Sequence, residues 1–292
     1  MCIRDSLQFQ IIKISHMLVK RFNLRMLLLL SYVIGPIYYI FSLRNTINLY
    51  KRVDRFKQNN NLKYSPLKVK VNYVKYWFET LWLTKSNFVN KISENLTIVN
   101  EDYIKNLKKN DQGFIFALPH LGNWEMAIPA GKELNLNLLA VAEPLENTNV
   151  LNWFKNLREE LGCEIIIGGK GQNTFNTLKD KINQGYHVCL LSERSINKSG
   201  VGTEFFGEIA AFPKGPVALA LSTGVPIVPA TFLKINNKYT LVFETPFYVP
   251  HFENEAQSIQ QGLKVLAKAF EKLISLDINQ WHSIQPVWTN EY

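Results

Sequence analysis

The chain has 292 residues, 47% hydrophobic and 12% aromatic, enough for one substantial core and too apolar for disorder over most of its length. Its three cysteines, Cys2, Cys163 and Cys189, have no C-x-x-C spacing, which argues against a disulfide framework or a zinc finger and makes a reducing compartment the default. The formal charge of +9 asks for an anionic partner: nucleic acid, an anionic bilayer surface or an acidic carrier protein.

Met1 to His16 carries no clear pattern, and Met17 or Met26 would each make a more natural beginning, so this stretch is set aside. Residues 26–43, MLLLLSYVIGPIYYIFSL, are uncharged and lie at the lower edge of the roughly 17–25 apolar residues that span a bilayer. Lys20, Arg21 and Arg25 precede the run, and Arg44, Lys51, Arg52, Arg55 and Lys57 follow it. No small-x-small cleavage site follows, which favours a retained anchor over a removable signal. The larger basic cluster on its C-terminal side would keep the main domain cytoplasmic. Gly35-Pro36 can kink the segment, and basic flanks at both ends also suit a helix lying in the membrane plane, with a buried core helix as the alternative. The division is thus an N-terminal segment, 1–52, carrying the anchor helix 26–43, and a single domain over 53–292.

Residues 51–110 read as helices leading into the core, with Tyr73, Trp77, Leu81 and Trp82 at helical spacing. Beyond them short apolar runs alternate with helical stretches. Strands are predicted at 113–119, 137–142, 164–168, 187–192, 226–232 and 239–245, and helices at about 124–134, 150–161, 173–183, 214–223 and 256–274. Thr148 or Asn149 can cap the second helix; Pro213 starts the fourth and Gly224 ends it. The pattern predicts an α/β domain with a central, largely parallel mixed sheet flanked by helices, plus the N-terminal hydrophobic helix. Ligands bind such sheets beyond the carboxyl ends of the strands, so the loops after 119, 142, 168 and 192 are the places to look.

The first of these loops is Pro119-His120-Leu121-Gly122-Asn123-Trp124-Glu125. Histidine takes a proton near neutral pH, and a neighbouring carboxylate makes it a stronger base and fixes its tautomer. On one continuous helix residues five apart stand about 140° from each other. His120 and Glu125 can therefore meet only if His120 lies in the strand-to-helix turn and Glu125 in the first helical turn. Gly122 permits the turn, Asn123 is a good N-cap, and the helix N-terminus offers backbone N–H groups to an oxyanion or a phosphate. Pro129 is expected to bend the helix near its start. Taken alone, a turn histidine bonded to backbone is an equally good account of this loop.

The segment LPHLGNWEMA resembles the His-x4-acid motif of the glycerolipid and lipid A acyltransferase superfamily. In its His-x-x-Asn-Trp-Glu form it looks like the bacterial lipid A biosynthesis acyltransferase branch, which includes the mycobacterial phosphatidylinositol mannoside acyltransferases. AEPL (142–145), LREELG (157–162), LLSERS (190–195), GVGTEFFGE (200–208), FPKGPVALALSTGVPIVP (212–229) and QWHSIQPVW (280–288) continue the resemblance, in order, over roughly 110–290. The resemblance implies transfer of an acyl chain from an acyl-carrier protein or acyl-coenzyme A thioester to a hydroxyl of a membrane glycolipid. The acceptor would be a lipid A precursor or a mannoside-type glycolipid, and the site the cytoplasmic (inner) membrane. His120 would act as general base with Glu125 orienting and charging it. Asn123 and Trp124 belong to the same motif, and Arg158 and Arg194 are candidates for the oxyanion or an acceptor phosphate. Glu193 matches an acidic family position and would support the site; an Arg158–Glu193 structural ion pair is the alternative. Where lipid A enzymes often carry Tyr-Arg-Pro, this chain has Ala142-Glu143-Pro144, which brings it closer to the mannoside branch.

Phe205 and Phe206, on a Gly-rich loop, would suit an acyl channel, with core packing the commoner reason for such a pair. Lys214, placed in a helix first turn, hints at a nearby anion, against the simpler reading of a solvated lysine. Gly168-Gly169-Lys170-Gly171 lacks the phosphate-loop frame and reads as a turn, and His187 reads as a satisfied core histidine. No His, Cys and acid set has metal-ligand spacing, and the chemistry calls for no metal or other cofactor. There is no G-x-S-x-G elbow for a hydrolase and no RNA-binding or helix-turn-helix signature, which sets nucleic acid aside. A non-catalytic membrane lipid-binding protein is the remaining rival.

Overall fold

The apolar runs between residues 96 and 243 assemble into one seven-stranded sheet in the computed structural model, which describes residues 3–60, 62–83, 96–110, 112–169, 173–195 and 200–291. Four helices come first: α1 (Ile3–Arg21), α2 (Leu24–Phe41), α3 (Leu43–Asn60) and α4 (Pro66–Trp82). Then follow β1 (Leu96–Val99), α5 (Glu101–Leu107), β2 (Ile115–Leu118), α6 (Ala127–Glu133), β3 (Leu138–Ala142), α7 (Thr148–Glu160), β4 (Cys163–Ile167), α8 (Thr174–Asn183) and β5 (His187–Leu191). The hairpin β6 (Val201–Phe205) and β7 (Glu208–Phe212), α9 (Gly215–Thr223), β8 (Ile227–Ile235), β9 (Lys238–Phe243) and α10 (Glu255–Leu276) complete the order.

The sheet runs β1-β9-β8-β2-β5-β3-β4, and every pair is parallel except the β8–β9 hairpin. The expected α/β architecture is therefore present. β2 is central and buried along its whole length, which is why its sequence is a continuous apolar run rather than an alternation. Ile115, Ala117, Val188 and Ile227 face a core shared with α3, α8, α9 and α10. Phe116, Leu118, Leu138 and Val228 face the other core, beneath α6 and α7.

Three local readings are corrected. The 200–212 stretch is a hairpin rather than a loop, because Phe206 (φ 51) and Gly207 (φ 82) form a two-residue turn with both φ angles positive, a turn Phe rarely signals. Asn147, not Thr148 or Asn149, caps α7, its Oδ1 accepting the Val150 N–H at 3.3 Å. α9 begins at Gly215-Pro216 rather than at Pro213. β1 went unpredicted because a four-residue strand in a polar setting shows little periodicity. Of the Gly-rich turn at 168–171, residues 170 and 171 lie outside the described residues.

The N-terminal stretch without pattern is helical, and the α1 end packs between α4 and α7. Trp82 Nε1 donates to the Phe22 carbonyl at 3.2 Å, and His16 meets Trp153 edge-on at 5.5 Å. α2 is the one helix among the described residues long and apolar enough, by length and composition, to cross a membrane. Its stripe Leu27, Ser31 and Gly35 is nevertheless buried, α4 packing so closely that a Cβ on Gly35 would lie 2.6 Å from Val71 Cγ2. Its opposite face, including Leu29, Leu30, Val33, Ile37 and Ile40, is exposed.

Position 52 falls inside α3, whose Arg52 is fully buried against the C-terminal tail. Its guanidinium binds both carboxylate oxygens of Glu291 at 2.8 Å and donates to the carbonyls of Ser283 and Gln285, while Trp281 and Trp288 lie against its faces. Burial opposes ionisation of Glu291, but Arg52 outweighs it and holds that carboxyl below its ordinary 4.5. The stability this gives is complete above the ordinary value and drains away as pH falls through the depressed one. Removing Arg52 leaves the buried Glu291 carboxylate with the longer Arg55 contact at 3.5 Å and the Val287 N–H at 2.8 Å. Arg52→Met should therefore cost about 3 kcal/mol, the low end for a broken buried pair, in urea unfolding at neutral pH. A cost below about 1 kcal/mol would mean that the tail is held mainly by its tryptophans.

Candidate active site

The loop after β2 turns sharply because Gly122 adopts φ +65, and any Cβ there would collide with the Phe232 carbonyl at 2.1 Å. The loop is stitched in place by its backbone. The His282 N–H donates to the His120 carbonyl at 2.8 Å, Gly122 N–H to Gln280 O at 2.9 Å, and Asn123 N–H to Phe232 O at 2.8 Å. These amides, with those of Leu121 and Met126, are already committed, so they are not the oxyanion donors expected from a helix N-terminus.

His120 does not meet Glu125. Its Nδ1 lies 2.7 and 2.9 Å from the two carboxylate oxygens of Glu193, and its backbone N–H donates to Glu193 Oε1 at 3.0 Å. The topology is the reason: β2 and β5 are parallel neighbours, so the residues just beyond their carboxyl ends stand side by side. Trp281 Nε1 adds a fourth contact to Glu193 Oε1 at 3.3 Å. Burial raises the Glu193 pKa, but the charge and hydrogen bonds of His120 prevail and hold it below its ordinary value. A carboxylate can only accept, so Nδ1 carries a proton, and whenever the ring is neutral Nε2 is the nitrogen that keeps its lone pair.

Glu125 sits in a 3-10 turn, Trp124–Met126, that replaces the expected first turn of helix and aims its side chain into the interior. There Arg158 from α7 grips it with two bonds, Nε to Oε2 at 2.9 Å and Nη2 to Oε1 at 2.6 Å. The alternative Arg158–Glu193 pairing is thus replaced by two separate pairs. Burial pulls the Arg158 pKa down, and Glu125 more than reverses that. The same setting pushes the Tyr76 hydroxyl well above its usual range, burial first and Glu125 second.

His120, Glu125 and Arg158 all line a cavity of about 490 Å³ between the sheet and α6 and α7, and Glu193 stands behind His120. Phe116, Leu118, Leu138, Ala140, Ile128 and Leu134 make most of it apolar; Trp124, Arg194 and the exposed Glu143 also line it. Among the described residues no carboxylate pairs with Arg194.

The other predicted site residues lie elsewhere. Asn123 caps no helix with its side chain; its Nδ2 donates to Glu79 Oε2 at 3.2 Å. Phe205 and Phe206 are core residues packed with Phe56, Trp281 and Trp288, outside the cavity wall. Lys214 is exposed at the N-cap of α9 and also outside that wall. His187 accepts the Phe114 N–H at 3.4 Å, and burial lowers it to about 4. Trp281 and Tyr76 escaped the sequence reading as site residues: Trp281 lies in the QWHSIQPVW segment, but nothing in the sequence joins it to Glu193, 88 residues away.

A model of the family described as bacterial lipid A biosynthesis acyltransferase matches residues 69–290. The phosphatidylinositol mannoside acyltransferase of Mycolicibacterium smegmatis (strain ATCC 700084 / mc(2)155) is 28% identical over 221 residues, which are 74% of this chain and 70% of that protein. Its namesake in Mycobacterium tuberculosis (strain ATCC 25618 / H37Rv) is 29% identical over 74% of this chain and 68% of its own length.

Proposed function

Because the chain belongs to the bacterial lipid A biosynthesis acyltransferase family, we propose that it moves a fatty acyl group from a thioester to a hydroxyl of a membrane glycolipid, with His120 and Glu193 as its catalytic pair. The observation that carries this reading is the His120–Glu193 contact, with His120 in the wall of a largely apolar cavity. The acyl chain lies in the cavity, with its thioester carbonyl beside His120. Nε2 takes the acceptor proton as the hydroxyl oxygen attacks; the new C–O bond forms, the C–S bond breaks, and the same proton passes to the leaving thiolate. Arg194 and the unengaged nitrogen of Arg158 face the developing oxyanion. Acyl-coenzyme A incubated with purified protein and glycolipid should yield an acylated product by mass spectrometry. A protein that binds both and transfers nothing would leave a lipid-binding role.

The acceptor is best taken as a mannoside-type glycolipid rather than a lipid A precursor. Both relatives are phosphatidylinositol mannoside acyltransferases, and Glu143 puts a negative charge at the cavity end where a phosphorylated sugar would have to approach. The donor carrier, acyl-carrier protein or acyl-coenzyme A, is acidic in either case. Excess positive charge should make the donor KM rise with salt between about 0.1 and 1 M, as the Debye length shrinks from about 10 to 3 Å.

The exposed apolar face of α2 attaches the protein to the cytoplasmic leaflet of the inner membrane. With one stripe committed to α4, the helix lies along the surface rather than across the bilayer. Placing glutamate at Leu29, Val33 and Ile40 leaves the α4 contact intact. At about 1.5 kcal/mol of lost burial for each, vesicle partitioning should fall at least ~100-fold in flotation. Unchanged partitioning would move the membrane contact to another face.

A further inference from the structure

On the other side of the His120 loop a cleft of about 270 Å³ opens among α4, the β8–β9 turn and the Ile278–Gln280 turn. Its character is opposite to that of the acyl cavity. Asn72, Lys75, Glu79, Asn123, Asn237 and His282 contribute to the wall. Tyr76 belongs to both spaces; its ring stacks on Trp124 at 4.5 Å and lies 5.7 Å from His282, so these rings stand between the cleft and His120.

The cleft holds hydrogen-bonding capacity that the protein itself leaves unused. Asn123, 4% exposed, must turn its Nδ2 toward the acceptor-only Glu79, and its Oδ1 then has no partner among the described residues. His282, 6% exposed, also has no partner at Nδ1 among the described residues, and burial, which outweighs a hydrogen bond to the Gly122 backbone, lowers its pKa to about 3 and keeps the ring neutral. Such buried polar atoms are uncommon and costly unless something bonds them. Lys75 supplies the complementary donor, giving two hydrogens to Asn72 Oδ1 at 3.3 Å and Tyr32 Oη at 3.0 Å and keeping a third.

This set discriminates among ligands. A phosphate, which only accepts, would meet Asn123 Oδ1, the neutral His282 and the Glu79 carboxylate. An ammonium would meet Lys75 and Lys234, which balance Glu79 and Asp277 in the wall. A hydroxyl both donates and accepts, so a ring carrying several hydroxyls satisfies both kinds of group. The volume is at the small end of ligand sites, which begin near 300 Å³, and suits a single ring. Lys75 in the wall bonds Tyr32 on the exposed side of α2, which ties the cleft to the helix whose outer face is assigned to the membrane.

We propose that this cleft is a second sugar subsite, holding an uncharged ring of the acceptor headgroup other than the ring acylated at His120; this rests on the glycolipid reading above. The test is saturation-transfer NMR on the full chain in detergent, with methyl mannoside, methyl glucoside and inorganic phosphate as probes. Glycoside ring protons should receive saturation that excess phosphate does not displace. The signal should fall at least ~5-fold in Lys75→Ala/Asn237→Gly, which removes hydrogen-bonding side chains. Glycine suits position 237 because Asn237 sits at φ 63, and Asn237→Gly alone serves if the pair fails to fold. No glycoside signal, displacement by phosphate, or a signal the variants leave intact would each overturn the subsite. A wild-type chain that binds glycosides yet acylates no glycolipid would sink the underlying reading, and with it the assignment to an acceptor. Normal transfer by the wild type, with variants unchanged in glycoside binding and in acceptor KM, would remove the subsite alone.

Discussion

His120→Gln and Glu193→Gln should each lower turnover in acyl transfer by roughly 10²- to 10⁴-fold, the usual worth of a placed general base. The double variant should be little worse than the poorer single one, because residues acting as one unit are strongly non-additive. The reason is tautomeric. With Glu193 ionised, Nδ1–H is held at 2.7 Å and Nε2 faces the acceptor; glutamine can offer its N–H to Nδ1 and invert that arrangement. Trp281→Phe removes the 3.3 Å donor to Glu193 together with indole packing on Arg52, Phe205 and Trp288, so a loss of activity there reports on the core as well as on the dyad. Retention of more than a third of transfer in His120→Gln, at an unchanged melting temperature, would make the dyad structural.

The sheet was legible because its strands are long apolar runs separated by helical stretches, and periodicity reports burial directly. The loop proposed as catalytic stood out in the sequence as well, since a histidine, a glycine and an acid follow β2 within seven residues. The identity of the partner acid was not. Spacing along the chain brings Glu125 near His120, whereas adjacency of β2 and β5 brings Glu193, and strand order is a property of the sheet rather than of any local window. The 3-10 turn at Trp124–Met126 is equally non-local in origin, since it depends on Arg158, 33 residues on, to bury the Glu125 charge. Phe205 and Phe206 misled for a related reason: a Phe-Gly turn with two positive φ angles reads as a loop until the tail tryptophans that pack on it are in place.

Glu125 and Arg158 invite the second large effect, one that separates them from the dyad. Glu125 is 1% exposed, and among the described residues Arg158 is its one ion-pair partner. Arg158→Met would leave that carboxylate buried at the end of an apolar cavity. The expected cost is about 3–5 kcal/mol, a large share of the 5–15 kcal/mol that typically holds a domain folded. Replacing both, Glu125→Gln/Arg158→Met, removes the stranded charge along with its partner, so urea unfolding should regain most of the loss. The activity of that double variant then decides what the pair does. If it only shapes the cavity, kcat recovers with the fold and the donor KM carries the remaining defect. If Arg158 stabilises the oxyanion, kcat stays about 10²- to 10³-fold low in a protein of restored stability, the usual loss for one such donor. A double variant as unstable as Arg158→Met would show that the bidentate contact contributes net stability of its own and would overturn the stranded-charge account.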